Sequence, residues 1–355
     1  MMEAVYINGT GTISPQPTFG DVPFLDTPKE IIGNRFTCIE PEYAGWIDPK
    51  AIRRMSRVIR MGVTAAGLAL KEAGLEKPDA IITGTAFGCL EDTGIFLTKM
   101  IEYKEQALNP TPFIQSTHNT IGSQVALLLQ CQGYNQTYSH RAFSFENALL
   151  DAFMMVQEQS GNVLVGGVDE VTDISYDIIG RFGRYKEQQV SNLKLFDAKS
   201  QGTTQGEGAS YFLVSNKKTS NSYARIVGMS TFYKPSGKEE IHSRISDFLT
   251  NQNTSINQID LLLIGKNGDV DQDKTYDQIV TGISPSTSVG TFKHLCGEYQ
   301  TANAFALWLG AKILKEKKVP VCIFQKQNVI KIPRRILIYN QYFGNHHSLI
   351  LLESC

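Results

Sequence analysis

The sequence has no strong charge of either sign. Its 355 residues include 34 lysines and arginines against 35 aspartates and glutamates, which gives a formal net charge of −1 at pH 7. Proteins that bind nucleic acid or anionic membranes present a basic field, and this composition does not supply one. We therefore expect no nucleic-acid partner.

Cysteines are few and scattered, and long apolar runs are absent. No apolar stretch approaches the roughly 18 residues of a membrane span, and the first nine residues lack the basic and then apolar order of a signal peptide. We expect a cytoplasmic protein without a membrane span, a metal or another cofactor, whose cysteines are reduced small hydrophobes. The six cysteines show no metal-like spacing; they are Cys38, Cys89, Cys131, Cys296, Cys322 and Cys355.

The sequence does contain short apolar strands that alternate with amphipathic helices, a pattern typical of an α/β fold. A long helix is predicted from Asp48 to Gly74, because its apolar residues step by three and four positions and Pro49 occupies its first turn. Helices are also predicted at 121–129 and 301–317. Strands are predicted at 4–7, 79–84, 162–166, 260–264, 319–324, 336–340 and 348–352.

One polar stretch, 215–222, has the composition of a linker. The same style of strand and helix recurs on both sides of it. This recurrence predicts two similar α/β halves, at 1–215 and 216–355.

Glycine-rich turns occur along the chain in a distinctive order. The strongest block combines Phe196-Asp197 with Gly202 and with the run Gly206-Glu207-Gly208-Ala209. A Gly-Thr-x-x-Gly turn at 84–88 and a Gly-Gly turn at 166–167 come earlier. Between those two turns, residues 137–152 have the layout of a strand, a sharp elbow at Ala142 and an apolar helix.

These blocks resemble, in their order and spacing, the β-ketoacyl synthases of the thiolase superfamily. The resemblance covers most of the chain. It implies an α/β fold of five-layered αβαβα architecture with two similar halves. It also implies a dimer across the sheet region near the elbow.

The residues that would perform the family's chemistry are missing. Ketosynthases use a cysteine that accepts the acyl chain and two histidines that stabilise the enolate. The resemblance places the cysteine at Ala142, and a methyl group cannot attack a thioester. It places the histidines at Gly265 and Glu298, whereas Lys293 of the second histidine motif is retained. No residue is therefore expected to act catalytically at these degenerate positions.

Loss of all three groups is similar to the pattern of chain-length factors in type II fatty acid and polyketide systems. The runs at 139–146 and 293–308 look most like subunits of bacterial aryl-polyene and flexirubin-type clusters. The resemblance implies a heterodimer with an active ketosynthase, or a homodimer, that works with an acyl carrier protein. The subunit would shape the acyl tunnel of its partner, and Phe143, Phe145 and Phe343 are the candidates for lining it.

Two other functions remain open on the sequence alone. The chain could be an active β-ketoacyl synthase or acyltransferase that uses non-standard residues, such as Cys296 with His294 or Glu298. It could instead be a stand-alone acyl-binding or scaffold protein. For Glu298 itself, we favour a structural pairing with Lys293 or Arg141 over a role as acid or base.

Two basic features admit a functional and a plainer interpretation. The cations along 50–60 would suit an acidic carrier protein, but a solvated helix face is favoured. His346 and His347 are expected to have a loop role rather than to bind a metal, because neighbouring side chains on an extended chain point in opposite directions.

Overall fold

A computed structural model describes residues 3–20, 22–159, 161–281, 283–284, 287–325 and 331–355. The helices are α1 (Pro49–Ile52), α2 (Arg57–Ala73), α3 (Leu90–Glu102), α4 (Pro110–Gln115), α5 (Thr120–Leu128), α6 (Ser144–Gln159), α7 (Asp173–Gly180), α8 (Lys238–Asn251), α9 (Val270–Thr281), α10 (Lys293–Cys296) and α11 (Ala302–Glu316). The strands are β1 (Val5–Ile13), β2 (Ile32–Gly33), β3 (Ala80–Gly84), β4 (Tyr134–Tyr138), β5 (Val163–Asp169), β6 (Val190–Ser191), β7 (Gly208–Ser215), β8 (Ala224–Tyr233), β9 (Leu261–Ile264), β10 (Ser288–Thr291), β11 (Arg335–Tyr342) and β12 (His346–Glu353).

The main sheet repeats one topology twice. Its strand order is β10-β9-β11-β12-β8-β1-β7-β5-β3-β4. In the first half, β7 is antiparallel to β1 and β5, while β3 is parallel to β5 and β4. In the second half, β12 is antiparallel to β8 and β11, while β9 is parallel to β11 and β10. The second half therefore repeats the strand relationships of the first. The two halves join where β1 pairs antiparallel with β8.

Strand side chains alternate between two faces, and this alternation builds the layers. Ile82 of β3 and Leu263 of β9 face a central cluster that contains α6 and α11. Their neighbours point the other way: Ile81 packs with α2 and α5, and Leu262 packs with α8 and α9. The expected five-layered αβαβα arrangement of two similar halves is therefore confirmed.

Helix α11 is buried around nearly its whole circumference. Twelve of its fifteen residues are buried, because the helix lies between the two halves and contacts strands of both. A helix that is apolar on all sides requires such a central position. The division at 215 falls in the turn between β7 and β8, and the two-domain boundary itself stays a prediction.

The structure corrects two predicted elements. The helix predicted from Asp48 to Gly74 is two helices, because the chain leaves helical geometry after α1 and Ser56 becomes the N-cap of α2. The strand predicted at 319–324 is wrong. Pro320 has no N–H to donate to a ladder, and a short 3-10 turn follows at Val321–Ile323. The other predicted elements are present with shifted ends. Among the described residues, no helix is both long and apolar enough to span a bilayer.

Candidate functional site

The elbow has the predicted strand, turn and helix, but its tip carries no reactive atom. β4 leads into a 3-10 turn at Arg141–Phe143, which runs directly into α6. Ser144 holds the turn, since its hydroxyl accepts from the His140 N–H at 2.8 Å and donates to the Arg141 carbonyl at 2.7 Å. Arg141 has a φ of 49°, a left-handed conformation that costs a non-glycine residue about 1 kcal/mol. Ala142 at the tip is buried and presents only a methyl group.

The space beside Gly265 is filled by other side chains. A Cβ atom built on Gly265 would lie 2.1 Å from Asn340 Oδ1 and 2.7 Å from the Tyr276 hydroxyl oxygen. Both contacts are shorter than atoms tolerate, so even alanine would force its neighbours to move. Tyr276 is itself fixed, because its hydroxyl accepts from the Gln341 N–H at 2.8 Å. This packing leaves no room for an imidazole at position 265.

Glu298 is held in a buried ion pair. Lys293 Nζ lies 2.8 Å from Glu298 Oε2, and both side chains are almost wholly shielded from solvent. Asn267 Nδ2 donates to the same oxygen at 2.7 Å, and Lys293 also donates to the Gln341 carbonyl at 3.1 Å. Burial raises the pKa of Glu298, and the nearby Lys293 ammonium opposes that rise. Glu298 therefore has the structural pairing with Lys293, not with Arg141.

The glycine-rich block at 196–209 packs against the loop that carries Glu298. Gly206 donates to the Glu298 carbonyl at 3.0 Å, and Glu298 donates to the Thr204 carbonyl at 2.8 Å. A Cβ at Gly206 would lie 1.9 Å from the Cys296 carbonyl oxygen, so only glycine permits this approach of the two backbones.

Glu207 of the same block explains part of the basic run at 50–60. Its carboxylate takes two bonds from the Arg57 guanidinium, at 2.6 and 2.7 Å, and also accepts from the Cys38 and Val171 N–H groups. Arg60 lies over the Tyr43 ring. The prediction of one solvated basic face is therefore wrong for these two arginines, because both serve internal contacts. The exposed cations that remain in the run are Lys50, Arg53 and Arg54.

Another buried carboxylate lies four residues beyond Ala142. Glu146 is 1% exposed and accepts from Asn303 Nδ2 of α11, which also bonds the Ser348 hydroxyl of β12. Burial raises its pKa to about 7. The sequence analysis missed this group; the signal was a carboxylate between apolar residues at the start of a buried helix.

A further buried carboxylate, Asp169, links the two halves through Thr301. Asp169 accepts from the Thr301 hydroxyl at 2.8 Å and from the Ala86 N–H at 2.8 Å. Burial raises its pKa to about 6. Asp169 therefore fixes the turn after β3 against the start of α11.

Two of the three tunnel candidates lie in one aromatic group. The Phe143 ring stacks on His140 at 5.8 Å and meets His346 edge-on at 4.7 Å. Phe343 belongs to the hairpin between β11 and β12, where it contacts Tyr342 at 4.6 Å; Tyr342 in turn lies 6.4 Å from His346.

Phe145 is separated from that group. It has no solvent-exposed surface and packs on Phe212 in the central core. Phe145 is therefore a core residue in this chain, and a tunnel role for any of the three residues stays a prediction.

An apolar groove opens between α3 and α7. It has a volume of about 520 Å³, and its lining includes Phe87, Leu90, Ile95, Ile174 and Ile178. Phe87 also lines a smaller cavity of about 360 Å³ at the elbow. The groove and the elbow cavity therefore share Phe87 in their lining.

The geometry gives no support to a nucleophile at Cys296. The two ring nitrogens of His294 are occupied by the Thr291 hydroxyl and the Cys322 carbonyl, while the Cys296 thiol is directed at the Gly297 carbonyl. Burial lowers the pKa of His294 to about 4 and raises the pKa of Cys296. A buried neutral thiol without a base cannot act as a nucleophile.

His346 and His347 point in opposite directions, as expected, but the expected loop role is wrong, because both residues belong to β12. His347 is buried and bonds the Tyr339 hydroxyl at 2.9 Å, whereas His346 faces Phe143 and Tyr233. Within the described residues, no cluster of histidine, cysteine and carboxylate side chains could hold a metal ion.

Solved structures share this fold over its full length. "The ishigamide ketosynthase/chain length factor" matches with a TM-score of 0.83 at 17% identity. A β-ketoacyl synthase from Burkholderia phymatum STM815 matches with a TM-score of 0.78 at 17% identity. A type II PKS acyl-carrier protein in complex with its ketosynthase bound to the hexaketide, AntDE:AntF, matches with a TM-score of 0.75 at 13% identity. Each match covers 100% of both chains.

The sequence comparison identifies the family. The family model for the N-terminal domain of β-ketoacyl synthases matches residues 28–220, more than half of the chain. No curated protein matches the sequence. The matched range includes the elbow and the glycine-rich block with Glu207. The chain belongs to the β-ketoacyl synthase family.

Proposed function

We propose that the chain is a chain-length-factor type of subunit, which lacks condensing activity and shapes the acyl tunnel of an active ketosynthase partner. The observation that carries this proposal is the filled space at Gly265, where Asn340 and Tyr276 occupy the volume of a side chain. A recent loss of one catalytic residue would leave its pocket open. Here Ala142 offers no thiol, position 265 has no room and Glu298 is bound to Lys293.

A partner surface is available beside the elbow. β4 is the last strand of the sheet, so one of its edges has no neighbouring strand among the described residues. Natural proteins cover or charge such edges, because they pair readily with another chain. This edge is instead flanked by exposed apolar side chains of α5, β4 and α6, namely Leu127, Leu128, Tyr134, Leu150 and Met154. An apolar patch at an open edge suits a stable protein interface.

Acyl-chain contact is proposed for the groove between α3 and α7 and for the aromatic group of Phe143 and Phe343. The groove is almost wholly apolar and has the size of a ligand site. It lies next to the elbow through Phe87. Bulky side chains there would limit the length of a growing acyl chain in the assembled dimer.

An acyl carrier protein is the proposed second partner. Lys50, Arg53 and Arg54 remain exposed beside α1, and cations favour docking of an acidic protein. Two structural relatives are a ketosynthase/chain length factor and an acyl-carrier protein in complex with its ketosynthase, which supports a role in a type II polyketide, fatty acid or aryl-polyene system. The proposed halves, 1–215 and 216–355, would carry the degenerate elbow and the degenerate histidine motifs respectively.

Co-expression with an intact ketosynthase of a type II system tests this function. We expect the two chains to co-elute as a one-to-one complex in size-exclusion chromatography. We also expect the partner to make products of a different length distribution when this chain is present. A chain that remains a homodimer and leaves the partner's products unchanged would contradict the proposal.

A further inference from the structure

We propose that the chain contains a binding site for a primary ammonium group, which is built from loops of both halves and is occupied by the chain's own Lys186. The Lys186 side chain is 1% exposed, although lysine is almost never fully buried unless it is paired. Within the described residues, its Nζ atom bonds only carbonyl and hydroxyl oxygens. The inference concerns this chain alone and does not depend on a ketosynthase partner.

Four oxygen atoms surround the ammonium group. The Lys186 Nζ atom donates to the Gly268 carbonyl at 2.8 Å and to the Ser200 hydroxyl at 2.9 Å. The carbonyls of Ser200 and Ala198 lie slightly farther from it, at 3.2 and 3.5 Å. An ammonium group has three N–H donors and no acceptor, so a shell of acceptor oxygens suits it and the bonds are strengthened by its charge.

Two buried aspartates make the surroundings of this site negative. Burial lowers the pKa of Lys186, and the charges of Asp269 and Asp273 oppose that fall. Both carboxylates accept from backbone N–H groups, Asp269 from Gly202 at 2.6 Å and Asp273 from Asn267 at 2.9 Å. The aspartates therefore favour a cation through their field, while neutral oxygens hold it in place.

The ammonium group connects two loops that come from different halves of the sheet. Ser200 belongs to the glycine-rich block of the first half, and Gly268 lies between β9 and α9 of the second half. The Ser200 carbonyl also accepts from the Val270 N–H at 3.1 Å. Without the cation, the oxygens of both loops would lose their donor, and the contact between the loops would open more often.

Lys186→Ala would vacate the site and leave all four of its oxygens in place. Ser200 is exposed, so a small solute can reach the site from the surface. Propylammonium has the carbon atoms and the ammonium group that alanine lacks at this position. Tetramethylammonium carries the same charge but has no N–H, so it cannot donate to the oxygens.

Hydrogen–deuterium exchange of the purified full chain, measured by mass spectrometry at constant ionic strength, tests the proposal. In Lys186→Ala, peptides that cover 198–204 and 265–273 should exchange roughly tenfold faster, because charge-assisted bonds to both loops are lost. Propylammonium should restore their protection, whereas tetramethylammonium should not. Lys199→Ala removes an exposed lysine of the same loop and should exchange like the unmodified chain.

A second variant keeps the lysine and removes one of the oxygens. Ser200→Ala deletes the hydroxyl that accepts from Lys186 and should speed exchange of the same peptides by roughly threefold. The proposal is overturned if propylammonium restores no protection, if tetramethylammonium restores as much, or if Ser200→Ala exchanges like the unmodified chain.

Discussion

At the scale of single residues, Gly265 is the position where the proposed loss of condensing chemistry makes its clearest structural prediction. Gly265→Ala places a methyl group about where Asn340 Oδ1 now lies. We expect it to lower the free energy of unfolding by about 2 kcal/mol or more, as overpacking does. Gly45→Ala is the control, because nothing lies within 4 Å of a Cβ there. Urea unfolding of both variants measures the difference, and equal stabilities would show that the site at 265 is open.

The Lys293–Glu298 pair makes a second prediction at this scale. Lys293→Met would leave the Glu298 carboxylate buried without its cation, at a cost of about 3 to 5 kcal/mol. Adding Glu298→Leu to that variant should restore much of the stability, because no charge is then buried. A double-mutant cycle from urea unfolding checks this, and additive losses would mean that the two side chains do not interact.

Glu146 makes the stability depend on pH. Its pKa rises from an ordinary 4.5 to about 7 in the folded protein, so the folded state holds a proton that the unfolded state has released. Its stabilising contribution is present below pH 4.5 and is lost as the pH rises towards 7. Relative to Glu146→Gln, the unmodified chain should lose about 3 kcal/mol of unfolding free energy over that range. Urea unfolding of both proteins at pH 5 and pH 8 measures it, and parallel pH profiles would refute it.

At the scale of elements, the open edge of β4 and its apolar flanks make a prediction about assembly. A charge at Met154 or Leu127, which are 48% and 62% exposed, would have to be buried when a partner covers this face. Met154→Lys and Leu127→Lys should therefore abolish the complex with a ketosynthase in size-exclusion chromatography. Val321→Lys is the control, since Val321 is 69% exposed and belongs to a turn far along the chain. A complex that survives both substitutions would place the interface elsewhere.

Individual helices and strands were predictable wherever apolar residues repeated at a regular spacing. The alternating or continuous apolar pattern predicted β5 and β11, and the three-and-four spacing predicted α2. The break between α1 and α2 was not predictable, because the apolar spacing continues across residues 53–56, which lie between the two helices. The prediction of a strand at 319–324 was wrong because the apolar residues there resemble those of a strand, whereas Pro320 has no N–H for strand pairing.

At the scale of the whole molecule, the family resemblance predicted the five layers and the two similar halves. The absence of the family's reactive groups was also predicted from the sequence, and it stays a prediction. The sequence could not predict which side chains pack beside Gly265, because Asn340, Tyr276 and Gln341 reach it from elements that are distant in the chain. Glu146 and its partner Asn303 were missed for the same reason, since they are 157 positions apart.

The account depends most on the claim that a condensing scaffold has lost its chemistry. Intact-protein mass spectrometry of the purified chain, after incubation with acyl and malonyl thioesters of an acyl carrier protein, tests that claim most directly. We predict an unchanged protein mass and no β-ketoacyl product. A covalent acyl adduct on any cysteine, or a condensed product, would contradict the account.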